Sequence, residues 1–350
     1  MHLPGTSKAI TDRQGRLSWR ERADLSNPVP LLEDLEAAPC QQASDDQKSV
    51  SIGLQTSIQS SDMSTQTDRS LTALYTYSKL NEKQLVYISG FNHKQFHALM
   101  QFLTEDISNL PVPVSMPIED QLLLVLYTYR HACEMTRLAI DFDRNRIFCK
   151  KVLTFWTNHM YRKLKSVKVW DCVKIKPGEY TTVIDCTEFF LQSSSDPENK
   201  QVCYSEYKGH QTLKALTGVS EGGVVMFCSD LYGGSVSDRE IFTVCGIREL
   251  LKRGDTILVD KGFTVSDLVE DLGVAVNIPP KKYGSQLSES GVMTTRALAA
   301  RRIHVERLNG FAKRYRYLST TIPCHFMDLI SQVIFNCFML LNMKPAIVKG

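Results

Sequence analysis

Between residues 81 and 165 apolar residues recur every three or four positions, the spacing of helices that bury one face. "NEKQLVYIS" and "NHKQFHALMQFL" each begin with an Asn suited to cap a helix N-terminus, and "NLPVPVSMP" breaks the run. Then come an apolar helix opened by Pro117 ("MPIEDQLLLVLYTYRHA"), a short amphipathic one ("EMTRLAIDF"), a turn ("DRN") and a longer helix ("RIFCKKVLTFWTNHMYRKLK"). After about residue 176 the pattern changes. "YTTVIDCTEFF", "TLKALTGVS" and "GVVMFCSDLY" are apolar, β-branched runs bounded by polar loops, and predict three strands. "SDREIFTVCGIRELLKRG" predicts one helix from Ser237 to Gly254, "DTILVDKGF" a fourth strand, "SDLVEDLG" a short helix and "VAVNIPP" a fifth extended piece. A loop, "KKYGSQLSESG", leads to a basic helix, "RRIHVERLNGFAKRYRYL", over residues 301–318.

This order divides the chain into three parts. Residues 1–70 are poor in aromatics and rich in Ser, Gln, Asp and Thr, a composition that buries too little apolar surface to offset the entropy of ordering, and they are expected to form a disordered tail. Residues 71–175 are expected to form an all-helical domain. Residues 176–345, with three strands, a helix, a strand and further helices, have the order of a ribonuclease H-like α/β domain. The 350 residues, 43% hydrophobic and 23% charged, suffice for two cores and a tail. Ten cysteines without a C-x-x-C pair offer neither a zinc-finger spacing nor a disulfide framework. No apolar run approaches the length of a membrane span, and "MHLPGTSKAITDRQGR" lacks a signal-peptide core, so a soluble intracellular protein without a membrane partner is expected.

The formal net charge of +3 is small, but it is unevenly placed. Arg146, Lys150 and Lys151 open the long helix after the "DRN" turn, as in a helix-turn-helix whose second helix enters a major groove; a plain three-helix bundle with a cationic face accounts for the same pattern. In 301–318, six cations surround Glu306. On a helical wheel His304, Leu308, Phe311, Tyr315 and Leu318 share an apolar arc, opposite Arg302, Glu306, Asn309 and Lys313. An exposed Arg302–Glu306 pair would contribute only about 0.3–0.5 kcal/mol.

Two more acids stand out. Asp185 closes the run "TTVID" and Asp260 closes "TILVD", and an ionised carboxylate behind core residues calls for a cation, a metal or a helix N-terminus. If the two strands are neighbours, both acids lie at the sheet's carboxyl edge, where α/β sheets build their sites. With Glu306 they make three hard oxygen donors, a set suited to Mg²⁺ or Mn²⁺, and two such ions serve phosphodiester displacement. Glu188, three residues after Asp185, points to the other face; Asp230 reads as a turn residue before "YGG", and Asp238 as the first turn of a helix. His210 and His304 read as loop or core histidines.

In sequence order, "VIDCTEFF", "YSEYKGHQTLKALTGVS", "SDLYGGSVSDREI", "GDTILVDKGF", "NIPP" and "RRIHVERLNGFAKRYRYL" resemble the DDE superfamily endonuclease domain of Harbinger-like and related insertion-sequence transposases. By position the resemblance implies that Asp185, Asp260 and Glu306 are the catalytic and metal-binding acids, with two Mg²⁺ or Mn²⁺ ions as cofactor. Upstream, residues 116–156 resemble the helix-turn-helix that often precedes that domain, although "DFDRNRIF" replaces the usual Gly and small polar residues of its turn. Relatives often carry an N-terminal zinc-binding DNA module, for which this chain lacks the cysteine spacing.

The expectation is therefore a transposase-derived, metal-dependent DNA endonuclease, with Arg302, Arg307, Lys313, Arg146 and Lys150 contacting nucleic acid. Its partner is DNA, its compartment the nucleus by inference from that substrate, and both a homo-oligomer and a separate DNA-binding partner protein remain open. The alternative is a domesticated DNA-binding or protein-interaction factor that retains the fold and metal site without productive catalysis.

Overall fold

A computed structural model describes residues 9–11, 17–19, 73–105, 115–173, 181–260, 262–278 and 305–344. Within the expected tail, β1 (Ala9–Thr11) and β2 (Leu17–Trp19) pair antiparallel; the remainder of that segment lies outside the described residues.

The helical part follows the periodicity closely. Asn81 and Asn92 open α1 (Glu82–Ser89) and α2 (His93–Thr104) with reciprocal capping boxes closed by Gln84 and Gln95. Pro117 precedes α3 (Ile118–His131), which places Glu119 and Asp120 in its first turn and Arg130 and His131 in its last, as the helix dipole favours. After α4 (Met135–Asp141), four residues lead to α5 (Arg146–Ser166), capped by the Asn145 side chain, and α6 (Val169–Cys172) follows.

The sheet is mixed. β3 (Thr181–Phe190) lies beside β5 (His210–Ser220) antiparallel and beside β8 (Thr256–Leu258) parallel, and β8 pairs with β9 (Ala275–Asn277), also parallel. The far edge of β5 carries β4 (Tyr204–Ser205), β6 (Val225–Cys228) and β7 (Tyr232–Gly233). Between these strands run α7 (Pro197–Cys203), α8 (Asp238–Val244) and α9 (Ser266–Val269), and after β9 come α10 (305–312), α11 (Arg316–Ser319) and α12 (Met327–Leu340). Two expected helices are interrupted. The one over 237–254 stops at Cys245, because Gly246 takes φ +83° and restarts the chain as a single 3₁₀ turn. The basic one turns at 313–315 before α11.

Alternation along the strands feeds two cores. Val183, Leu213, Ala215 and Leu258 join α1–α5, α10 and α12 in one, whereas Ile184, Leu216, Ile257 and Val259 join Trp170, α8 and α9 in the other. The first core thus runs without a break from the helical segment into the sheet. At its centre Asn336 Nδ2 donates to Thr157 O (3.0 Å) and Tyr129 Oη (3.3 Å), tying α12 to α3 and α5.

The "YGG" turn is packed against α7: a Cβ on Gly233 would lie 2.3 Å from Val202 O, a backbone atom that cannot swing away. Gly233→Ala should therefore destabilise the fold by about 3 kcal/mol. Gly218→Ala, whose tightest contact would be Phe227 Cβ at 3.2 Å, with Thr182 Cγ2 and Trp170 Cζ3 at an ordinary 3.6 Å, should cost less. The two denaturant midpoints measured side by side check this.

Candidate active site at the carboxyl edge of the parallel strands

β3 and β8 run parallel in the register Thr182↔Ile257 and Val183↔Leu258. Asp185 stands two residues beyond Val183 within β3, and Asp260 two residues beyond Leu258, where β8 has already ended, so both follow the last pair of the parallel ladder. Asp185 shares the parity of Val183, hence the face that packs on α10 and α12. β3 continues to Phe190, but its parallel partner stops: the Val259 N–H still bonds Asn277 O (3.2 Å), and a turn follows in which Phe263 N–H bonds Asp260 O (2.9 Å). Asp185 therefore sits at the carboxyl edge of the parallel ladder although it lies in mid-strand. Its carboxylate is half-buried and that of Asp260 is exposed.

The third element is α10. Val305, Leu308 and Ala312 are its buried residues, so the apolar arc is rotated from the one drawn with His304 and Leu318. The rotation moves Asn309 from the open face to the buried margin, where its Nδ2 donates to Asp185 Oδ2 at 3.0 Å. Asn309 Oδ1 is buried without a hydrogen-bond partner among the described residues. Glu306, one turn earlier on the same flank, is exposed. Sequence reasoning did not select Asn309; its adjacency to Leu308 and its i+3 spacing from Glu306 were the available signals. Among the described residues, no three His, Cys, Asp or Glu side chains stand within reach of a single ion. Both aspartates thus stand just past the end of one parallel ladder and α10 is tied to Asp185, while Glu306 lies on the exposed flank of α10.

The remaining acids face elsewhere. Glu188 lies on the opposite face of β3, where it accepts from Thr212 Oγ1 (2.7 Å) and lies 3.9 Å from Lys214 Nζ; their side chains are only 12% and 13% exposed. Lys214 also donates to Asp238 Oδ1 (3.4 Å) and Val236 O (3.0 Å), so this buried cation fastens the start of α8 to the sheet. Asp238 stands in the first turn of α8, capped by Ser237, as its position in sequence indicates. Asp230 is exposed in the loop after β6, and His210 packs edge-on against Phe190. The nine cysteines among the described residues are free; burial pushes the Cys149 and Cys203 thiols up to about 11, away from nucleophilic use.

Of the cations expected to meet nucleic acid, Arg307 on α10 and Lys313 in the following turn are exposed; Arg302 lies outside the described residues. Arg146 and Lys150 are exposed in the first turns of α5 and line an open groove of about 1250 Å³ with Arg144, Ile140 and Ile147. No helix among the described residues is long and apolar enough to cross a membrane.

None of the curated proteins searched matches the chain. Residues 184–342, which begin one position before Asp185 and take in Asp260 and Glu306, match the model of the family described as DDE superfamily endonuclease, and it is to the nucleases of that family that this part of the chain is similar.

Proposed function

We propose that this chain is a transposase-derived, divalent-metal-dependent DNA endonuclease whose acids are Asp185, Asp260 and Glu306. The observation that carries the reading is that Asp185 and Asp260 each follow the last pair of one parallel ladder by two residues, with Asn309 holding α10 to Asp185. The strand order, three antiparallel strands followed by two parallel to the first, suits a ribonuclease H-like catalytic domain. The similarity to DDE superfamily endonucleases spans all three acids.

The residues present fit a hard cation. The donors at the edge are oxygens, and the orphaned Asn309 Oδ1 beside Asp185 is a further oxygen of the kind Mg²⁺ and Mn²⁺ take. Asp185 and Asp260 would hold the ions, and Glu306 would join them by turning its flexible side chain inward from the flank of α10. Bound there, two such ions supply charge stabilisation to the attacking and leaving oxygens of a phosphodiester. Asn309 fixes the orientation of the Asp185 carboxylate through its amide donor. Arg302, Arg307 and Lys313 would hold phosphates beside the cleaved bond, and Arg146 and Lys150 would meet DNA through a helix-turn-helix formed by α4 and α5. DNA is then the partner and the nucleus the compartment.

One observation favours a second reading, a DNA-binding or protein-interaction factor without turnover: no three candidate ligands stand within reach of one ion among the described residues. A supercoiled plasmid incubated with the protein in Mg²⁺ or Mn²⁺ separates the two. The nuclease predicts relaxed and linear products that require the divalent ion and disappear in EDTA. Salt-sensitive binding without any nicking would leave the second reading standing.

A further inference from the structure

Just after α10, Arg314 lies beside Arg130, which in turn lies beside Lys344, and among the described residues no carboxylate pairs with any of them. Lys344 and Arg130 meet at Gly90, the left-handed C-cap of α1: a Cβ built there would lie 3.3 Å from Lys344 Nζ and 3.9 Å from Arg130 Cδ. Lys344 Nζ rests over the rings of Phe91 (5.3 Å) and Tyr315 (5.1 Å), which hold it in place without neutralising it. Arg130 Nη1 donates to Arg314 O (3.2 Å), and the Arg314 guanidinium stacks over Phe311 at 4.2 Å. Burial, then the charges of Arg130 and Arg314, bring the Lys344 ammonium down to about 8, the direction expected of a cation crowded by cations.

Cations near the ends of α1 and α3 are favoured by the helix dipoles. That preference accounts for one cation at each end and not for two meeting at one glycine with a third beside them, against their own repulsion. An anion with several oxygens accounts for all three, since guanidinium forks and an ammonium are phosphate-binding groups. The cluster also follows the candidate active site along α10. Eight residues of chain, mostly helical, separate Glu306 from Arg314, about 12 Å at 1.5 Å per residue. Along a duplex that advance is about three to four base pairs.

We propose that Arg130, Arg314 and Lys344 form a seat for backbone phosphates of bound DNA, roughly three to four base pairs from the cleaved bond. The position along the duplex rests on the nuclease reading above; the phosphate seat itself does not.

The test titrates a labelled 30-base-pair duplex of arbitrary sequence with the full chain in Ca²⁺, and plots log affinity against log salt. In the triple variant Arg130→Gln/Arg314→Gln/Lys344→Gln, the slope should fall in magnitude by about 0.9 for each phosphate no longer neutralised, and affinity near 0.15 M salt by roughly five-fold per phosphate. Arg314→Gln alone, at an exposed side chain that does not threaten the fold, should lower the slope by about 0.9, and Lys344→Arg should leave it unchanged. An unchanged slope in Arg314→Gln and in a folded triple variant overturns the proposal; if the triple variant does not fold, Arg314→Gln decides alone. Plasmid nicking, assayed in parallel, keeps the two readings apart. A reduced slope in a protein that never nicks retains the seat and removes the nuclease, whereas nicking with an unchanged slope does the reverse.

Discussion

Asp185→Asn and Asp260→Asn should each lower metal-dependent plasmid nicking by roughly three orders of magnitude, about 4 kcal/mol of transition-state stabilisation, while leaving the fold intact. The fold should survive because neither carboxylate is a core group: Asp260 is exposed, and an amide at 185 can still accept the Asn309 Nδ2–H through its carbonyl oxygen. What the substitution removes is the negative charge that a divalent ion needs. Asn309→Ala should fall between these variants and the wild type, with a loss on the order of 10–100-fold, because it releases the Asp185 carboxylate without removing it. Glu306→Gln tests whether the side chain on the flank of α10 turns inward, and a loss comparable to Asp185→Asn is expected. A second readout is independent of turnover. Excess Mn²⁺ should raise the melting temperature of the wild type and not that of Asp185→Asn, since an ion that binds only the folded state stabilises it in proportion to the logarithm of its concentration. Nicking that persists unchanged in both aspartate variants would move the chemistry to another site.

The placement of Asp185 and Asp260 behind strand runs is legible in the sequence because apolar, β-branched runs mark strands whatever lies between them, and a carboxylate directly behind such a run is costly unless it has a task. That the two runs share one parallel ladder cannot be read from either strand alone; it is shown by the pairing of Val183 with Leu258, which lie in segments far apart in the chain. The α10 wheel shows the opposite case. Periodicity identifies a helix, but its phase depends on whether 301–318 is continuous, and the turn at 313–315 makes Leu318 a poor guide to the face used at 305–312. A wheel drawn through that turn puts Asn309 on the wrong side. Gly246 ends a helix that the apolar pattern carries forward to Leu251, because glycine at positive φ overrides local periodicity. Lys214 is inconspicuous inside "TLKALTGVS", since its partners Glu188 and Asp238 come from a neighbouring strand and a distant helix.

Trp156→Ala should be the most damaging single substitution in the helical segment, at about 3–5 kcal/mol, a large share of the roughly 5–15 kcal/mol that holds a typical domain together. Trp156 is fully buried on α5, edge-on to Phe155 and His159, and its indole Nε1 donates to Gln121 Oε1 on α3 at 3.0 Å. Truncation leaves a cavity where α3, α5 and the inner face of the sheet share one core, and it takes a donor from an amide oxygen that water does not reach. Trp156→Phe, which keeps much of the volume and loses the donor, should cost about half as much. The loss reaches function through geometry: α5 presents Arg146 and Lys150 at one end and packs along α12 over its length. In Trp156→Ala the denaturant midpoint should therefore fall together with DNA affinity, whereas Arg146→Gln/Lys150→Gln, at exposed positions, should weaken DNA binding at an unchanged midpoint. Retention of the wild-type midpoint by Trp156→Ala would mean that α3 and α5 do not share the buried packing on which the placement of the basic end of α5 depends.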